Sequence, residues 1–232
     1  MTDEPKKLVT RIGDRFGVES EKLLHTLKAT AFANGENAPS NEQMMALLVV
    51  CDQYGLNPFT REIFAFPDKR GAITPVVSVD GWIRIINSHR YFDGVSFYES
   101  TDTTSFDGVL LPDWVECTIY RKDRAHPTTI REYTAELYRP PVVRKSKEGH
   151  DYTVSGPWQT HGHRLLRHKA LIQCARVAFG FAGIYDEDEA VRIVEAQAPQ
   201  VGKPIVQMPQ AIPAPEAPAE VTEEPMPQVL PE

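Results

Sequence analysis

The chain has 232 residues, 41% of them hydrophobic and 25% charged, with a formal net charge of −7. That length supports one filled core with chain to spare, and no apolar run reaches the ~20 residues needed to cross a bilayer. The opening MTDEPKK lacks the apolar centre of a signal peptide, and Cys51, Cys117 and Cys174 stand far apart among apolar neighbours. The expectation is a soluble intracellular protein with buried thiols and no disulfide frame.

Taken in order, Ser20 is placed to cap a helix running to about Phe32, with Leu23, Leu24 and Leu27 turned inward. Asn34, Gly35 and Pro39 break it. Ser40 and Gln43 then have the spacing of a capping box before the apolar run Met44–Val50, and Gly55 and Pro58 close this second helix. Arg61–Phe66 and Ile73–Val79 alternate around Asp68–Gly71, which predicts a hairpin with Lys69 and Arg70 at its tip. Those cations serve either solubility or a phosphate contact. Asp80 is placed to cap a short helix through Trp82 and Ile86, and a polar loop follows.

Trp114–Arg121 and Thr128–Tyr133 predict a second hairpin, turning at Lys122–Pro127 with Arg121, Lys122 and Arg124 beside the turn. The next stretch, RPPVVRKSKEGHDYTVSG, reads as a mobile loop that orders on a charged ligand. Gly156–Tyr185 is the centre of the chain. A turn at Gly156-Pro157 leads into a helix starting near Thr160 and ending at the Gly180–Gly183 pair. Leu166, Ala170, Gln173, Cys174 and Val177 form one largely apolar stripe, with Lys169 and Arg176 on one flank and Arg164 and His168 on another. From Arg139 to Arg176 there are eight Lys or Arg against Glu148 and Asp151, plus four His. So local a surplus in an acidic chain points to an anionic polymer, nucleic acid first.

After Tyr185 the run Asp186–Glu189 (DEDE) is placed either to hold Mg²⁺ or to complement a helix dipole. From Ala196 nine prolines fall in 37 residues with no aromatic, which sets the expected boundary: a folded unit over 1–195 and a disordered acidic tail over 196–232. No G-x-x-x-x-G-K-[ST], G-x-S-x-G or paired-cysteine zinc spacing occurs. His161, His163 and His168 suit a phosphate contact better than a metal cluster. Binding without catalysis is the better class.

The strings YGLNPFTREIFAFPDK, PVVSVDGWIRIIN, IYRKDR–HP, GPWQTH and RLLRHKALIQCARVAFGFAGIYDEDEA closely resemble the phage single-strand annealing proteins of the Bet/RecT family, in its lambda branch. The resemblance covers roughly Leu23 to Glu195. It implies an α+β fold with a small antiparallel sheet of hairpins packed with helices, related to the Rad52 annealing proteins. It implies a recombinase that needs no ATP and works in the cytoplasm of a bacterial host. Its partners would be single-stranded DNA, the annealed duplex intermediate, further copies of itself in rings or helical filaments, and a phage 5′–3′ exonuclease. No membrane and no protein-bound cofactor is implied, and Mg²⁺ would enter through the DNA.

Carried over residue by residue, the resemblance places DNA-groove cations at Arg61, Lys69, Lys122, Arg164, Lys169 and Arg176. His163 stands where the family has a lysine, so its contact is weaker at neutral pH. A lambda member's folded C-terminal module, which docks exonuclease and host single-strand-binding protein, is replaced here by the proline-rich tail. Subunit contacts are expected on the N-terminal helices and on Trp82 and Trp158, with burial inside one subunit as the alternative for the tryptophans. Two other functions compete. One is a Mg²⁺-dependent phage exonuclease built on DEDE. The other is a sequence-specific DNA-binding regulator, although no cationic helix sits in a helix-turn-helix pattern.

Overall fold

The computed structural model describes residues 8–32, 38–67, 72–146 and 148–197. Three helices open it: α1 (Leu8–Phe16), α2 (Ser20–Thr30) and α3 (Asn41–Tyr54). The sequence reading passed over α1. Helix α2 begins one residue earlier than a Ser20 cap requires: Ser20 is its first residue, and Glu19 holds the cap position and makes no side-chain cap bond. The α3 capping box forms as its spacing predicts. The Gln43 backbone N–H donates to Ser40 Oγ at 3.2 Å, and the Ser40 N–H donates to Gln43 Oε1 at 2.9 Å. Gly55 ends α3 with φ 70°, in the left-handed region where glycine carries no Cβ penalty. Leu23, Leu27, Leu47, Leu48 and Cys51 are fully buried where the three helices meet the rest of the core.

Strands β1 (Ile63–Pro67) and β2 (Ile73–Val77) pair antiparallel, Ile63 opposite Val77. The tip cations Lys69 and Arg70 lie outside the described residues. This hairpin ties distant segments together: the Ala65 N–H donates to the Ala31 carbonyl, and the Val77 N–H to that of Tyr185, both at 2.8 Å. Helix α4 (Val79–Asn87) is capped by Ser78, whose hydroxyl accepts from the Gly81 N–H at 3.2 Å. Asp80 instead sits in the first turn, where its charge suits the helix dipole.

The segment read as a polar loop contains three strands, β3 (Phe92–Glu99), β4 (Thr103–Phe106) and β5 (Val109–Pro112). Strand β6 (Trp114–Arg121) is the centre of a three-stranded antiparallel sheet in the order β3-β6-β7, with β7 spanning Thr128–Tyr133. β4 and β5 form a separate two-stranded ladder. After the short helix α5 (Thr134–Leu137), the predicted mobile loop is a hairpin of β8 (Val142–Lys145) and β9 (Asp151–Val154).

Helix α6 (Pro157–Phe179) packs across β6 and β7 and ends at Gly180, φ 75°. It starts three residues before Thr160 and is broken at His161, whose φ of −139° is not helical. The next residue, Gly162, lies so close to Leu111 that a Cβ would come within 2.6 Å of its side chain. The predicted stripe holds at Leu166, Ala170 and Cys174 but not at Val177, which is 60% exposed. Ile172, Ala175 and Ala178 are buried instead, because α6 is wedged between the sheet on one side and α4 on another. Trp82 and Trp158 are 1% and 3% exposed, so both belong to the core of this chain and neither offers a surface to a neighbour. The last described helix, α7 (Glu187–Gln197), continues two residues past the boundary expected after Glu195.

Candidate nucleic-acid interface

The expected cations separate into two groups according to what holds them. Lys169 is buried at 8% exposure, and its ammonium lies against Asp186 and, at 2.8 Å, Asp188. Arg176, one helical heptad later, makes a two-pronged pair with Glu189 at 2.9 and 2.7 Å and donates to the Ile184 carbonyl at 2.7 Å. Its guanidinium also lies over the Trp82 ring, 5.6 Å from the centroid. The outward-facing flank expected of Lys169 and Arg176 is therefore turned inward, with its charge already matched.

The residues that match it are the DEDE run. Asp186 and Glu189 stand three apart and cap each other: the Glu189 N–H donates to Asp186 Oδ1 at 3.1 Å, and the Asp186 N–H to Glu189 Oε2 at 3.3 Å. This is a capping box with its spacing plain in the sequence, a local signal for the start of α7. Arg139 joins from the other side, donating to the Asp188 carbonyl at 2.6 Å. These carboxylates are thus bound to α6 and Arg139. Glu132 on β7 lies in the same electrostatic neighbourhood. Burial pushes its carboxyl above the ordinary value, Glu136 and Glu189 push it the same way, and Lys169 opposes them.

Arg61, Lys122 and Arg164 are exposed and form no ion pair among the described residues. Arg61 has φ 60°, uncommon for a residue with a Cβ, and its guanidinium lies 5.1 Å from the Phe64 ring centre. Lys122 leads the β6–β7 turn with its N–H bonded to the Tyr91 carbonyl at 2.9 Å. Its neighbour Arg121 is structural, paired with Asp123 at 2.7 Å and bonded to the Ala178 carbonyl. Lys69 lies outside the described residues. His163 is drawn aside to Glu99 at 3.3 Å, a carboxylate it shares with Arg167 at 3.6 Å.

The three histidines of α6 do not converge. His161 contacts Thr160, His163 contacts Glu99, and His168 is partly buried with Nδ1 unbonded among the described residues. Among those residues no three His, Cys, Asp or Glu side chains gather as a metal group would. His168 is held toward its neutral form, chiefly by burial and then by Arg164 and Arg167.

A cleft of about 660 Å³ opens where the first turns of α4, α6 and α7 approach the Arg139–Val142 segment. Trp158, His168 and Lys169 line it, as do Val142 and Ile172. A second hollow, about 450 Å³, borders it and shares Ser78, Asp80 and Glu187; Arg61 stands on its rim. Arg61 thus borders one hollow and His168 the cleft beside it, while Arg164 and Lys122 line neither. Sequence reasoning missed Arg139 and the cleft, since nothing local links residue 139 to residue 188.

The profile of the RecT family matches residues 20–201, well over half the chain. This chain belongs to the RecT family. Recombination protein bet of Escherichia phage lambda is 50% identical over 194 residues, an alignment that covers 82% of this chain and 67% of that protein. In this RecT-family chain the matched span takes in α2 through α7 and every cation discussed above; α1 precedes it. The α+β architecture of small antiparallel sheets and packed helices accords with that membership. Among the described residues no helix is long and apolar enough to cross a membrane.

Proposed function

We propose that this chain anneals complementary single strands of DNA during phage recombination, without ATP, as an oligomer that coats the first strand. The observation that carries the reading is membership of the RecT family together with half-identity to a phage recombination protein. A fold related to the Rad52 annealing proteins, and assembly into rings or filaments, belong to the same proposal. So does a partnership with a phage exonuclease.

The physics of annealing asks for phosphate repulsion to be relieved while base edges stay free. Exposed Arg61, Arg164 and Lys122 supply charge that is not consumed inside the fold, and such cations grip the backbone without reading sequence. Pairing then drives the reaction, since each stacked step of a duplex is worth about 1.4 kcal/mol. In this reading Lys169 and Arg176 are positioning residues: they fix α7 against α6 and hold the cleft walls in place.

The test uses two complementary oligonucleotides added in turn to the full chain, with Mg²⁺ and no nucleotide. Protected duplex and nucleoprotein rings or filaments under the electron microscope are expected. Degradation of either strand would replace annealing with the exonuclease reading, and selective binding to one duplex sequence would point to a regulator. Arg61→Ala and Arg164→Ala should each weaken binding to all sequences alike and reduce the salt slope by about 0.7.

A further inference from the structure

The β8–β9 hairpin is exposed at all eight of its strand positions. Four of those carry apolar side chains left in solvent: Val142 at 56%, Val143 at 63%, Tyr152 at 48% and Val154 at 37%. A two-stranded hairpin with no buried face is marginal by itself, so this face is suited to being covered.

Register separates the two faces. Val142 pairs with Val154 and Arg144 with Tyr152, so these four side chains share one face; Val143, Thr153, Lys145 and Asp151 share the other. On the second face Lys145 stands opposite Asp151 in register, with a carboxylate across the ladder. On the first, Arg144 has no acidic neighbour across the ladder and stands directly opposite an exposed aromatic ring. Val142 also lines the cleft beside Arg139, so the cleft wall continues up the hairpin along this face.

An aromatic ring next to an arginine with no ion pair among the described residues suits a base and its phosphate together. Tyrosine and arginine are enriched at protein interfaces as well, so the test must separate a second copy of the chain from nucleic acid. We propose that the Arg144–Tyr152 face of the hairpin is a binding element for single-stranded nucleic acid, with Tyr152 stacking on a base and Arg144 meeting the adjacent phosphate. The proposal rests on the single-strand reading above and adds an element to it.

The test titrates a fluorescein-labelled oligothymidylate with the full chain over a range of salt concentrations. Light scattering of the same samples without DNA runs alongside. Tyr152→Ala should weaken binding about tenfold, within the range for one stacked base. Tyr152→Phe should keep the parent affinity, because the ring remains. Arg144→Ala should lower the salt slope by about 0.7. Self-association should be unchanged in all three. Parent-like affinity in Tyr152→Ala and Arg144→Ala, with the parent still binding, overturns the hairpin proposal and leaves the annealing reading standing. Loss of self-association in Tyr152→Ala assigns the face to a second copy of the chain and overturns it as well. Failure of the parent chain to bind the probe overturns both.

Discussion

Removing the Lys169 ammonium would leave Asp186, itself 6% exposed, with an uncompensated charge beside Asp188. Breaking a buried pair from one side costs about 3–5 kcal/mol, far more than the ±0.5 kcal/mol usual for a surface cation. Lys169→Met is therefore expected to lower the melting temperature by on the order of 10 °C while leaving the salt slope of DNA binding unchanged. A lowered slope with an unchanged melting temperature would return Lys169 to the groove. His168 gives a prediction in pH. Its folded-state pKa lies below the ordinary 6.5, through burial first and then Arg164 and Arg167, with Asp80 opposing. Such a group contributes stability above the unfolded value and loses it as pH falls from there through the folded value. His168→Gln should therefore gain stability relative to the parent as pH is lowered from 7 to 5, measured by denaturant titration at each pH. A constant difference across that range would place the imidazole in water.

At the scale of the elements, α4 comes close to the residue before β1. A Cβ on Gly81 would come within 2.3 Å of the Glu62 carbonyl oxygen and 2.7 Å of Val77, and a backbone atom has no rotamer through which to escape. Gly81→Ala should destabilise by roughly 1–3 kcal/mol despite its better helix propensity, read as a shift in the denaturant midpoint. The β1–β2 and β6–β7 hairpins and the Ser40 capping box were legible because their signals are local: alternation on both sides of a turn, or a three-residue spacing. β3 was not, since it is an edge strand whose register shifts between Phe92 and Gly94, so alternation breaks at its start. β8 and β9 bury nothing and so carry no inward periodicity. For the site, Arg61, Lys122 and Arg164, expected as DNA-groove cations, are exposed. The partners of Lys169 and Arg176 could not be read from the α6 pattern, because charge pairing between helices leaves no mark on the period of either one.

At the scale of the whole molecule, the described fold runs to residue 197, and a second stretch of sequence follows from Pro199 onward. The second stretch carries five Glu and one Lys, an acidic balance that opposes phosphate. A chain ending at Ala198 should therefore melt at the parent temperature and anneal at least as fast, with slightly tighter binding at low salt. Loss of annealing in that truncation would make the tail part of the machine. Stopping the chain after Tyr185 is a different experiment. It removes Asp186 and Glu189, and the unit should fail to fold cooperatively.

That dependence sets an order in time. Lys169 and Arg176 are synthesised before the carboxylates of residues 186–189 that neutralise them. Tyr185, which returns to β2 through the Val77 N–H, is likewise made long after the hairpin it completes. Until those residues leave the ribosome, α6 holds two cations that the finished fold encloses, and β2 lacks a bond that the finished fold supplies. The closing step of folding therefore belongs to α7, and the domain becomes a single cooperative unit only once residues 185–189 have been made.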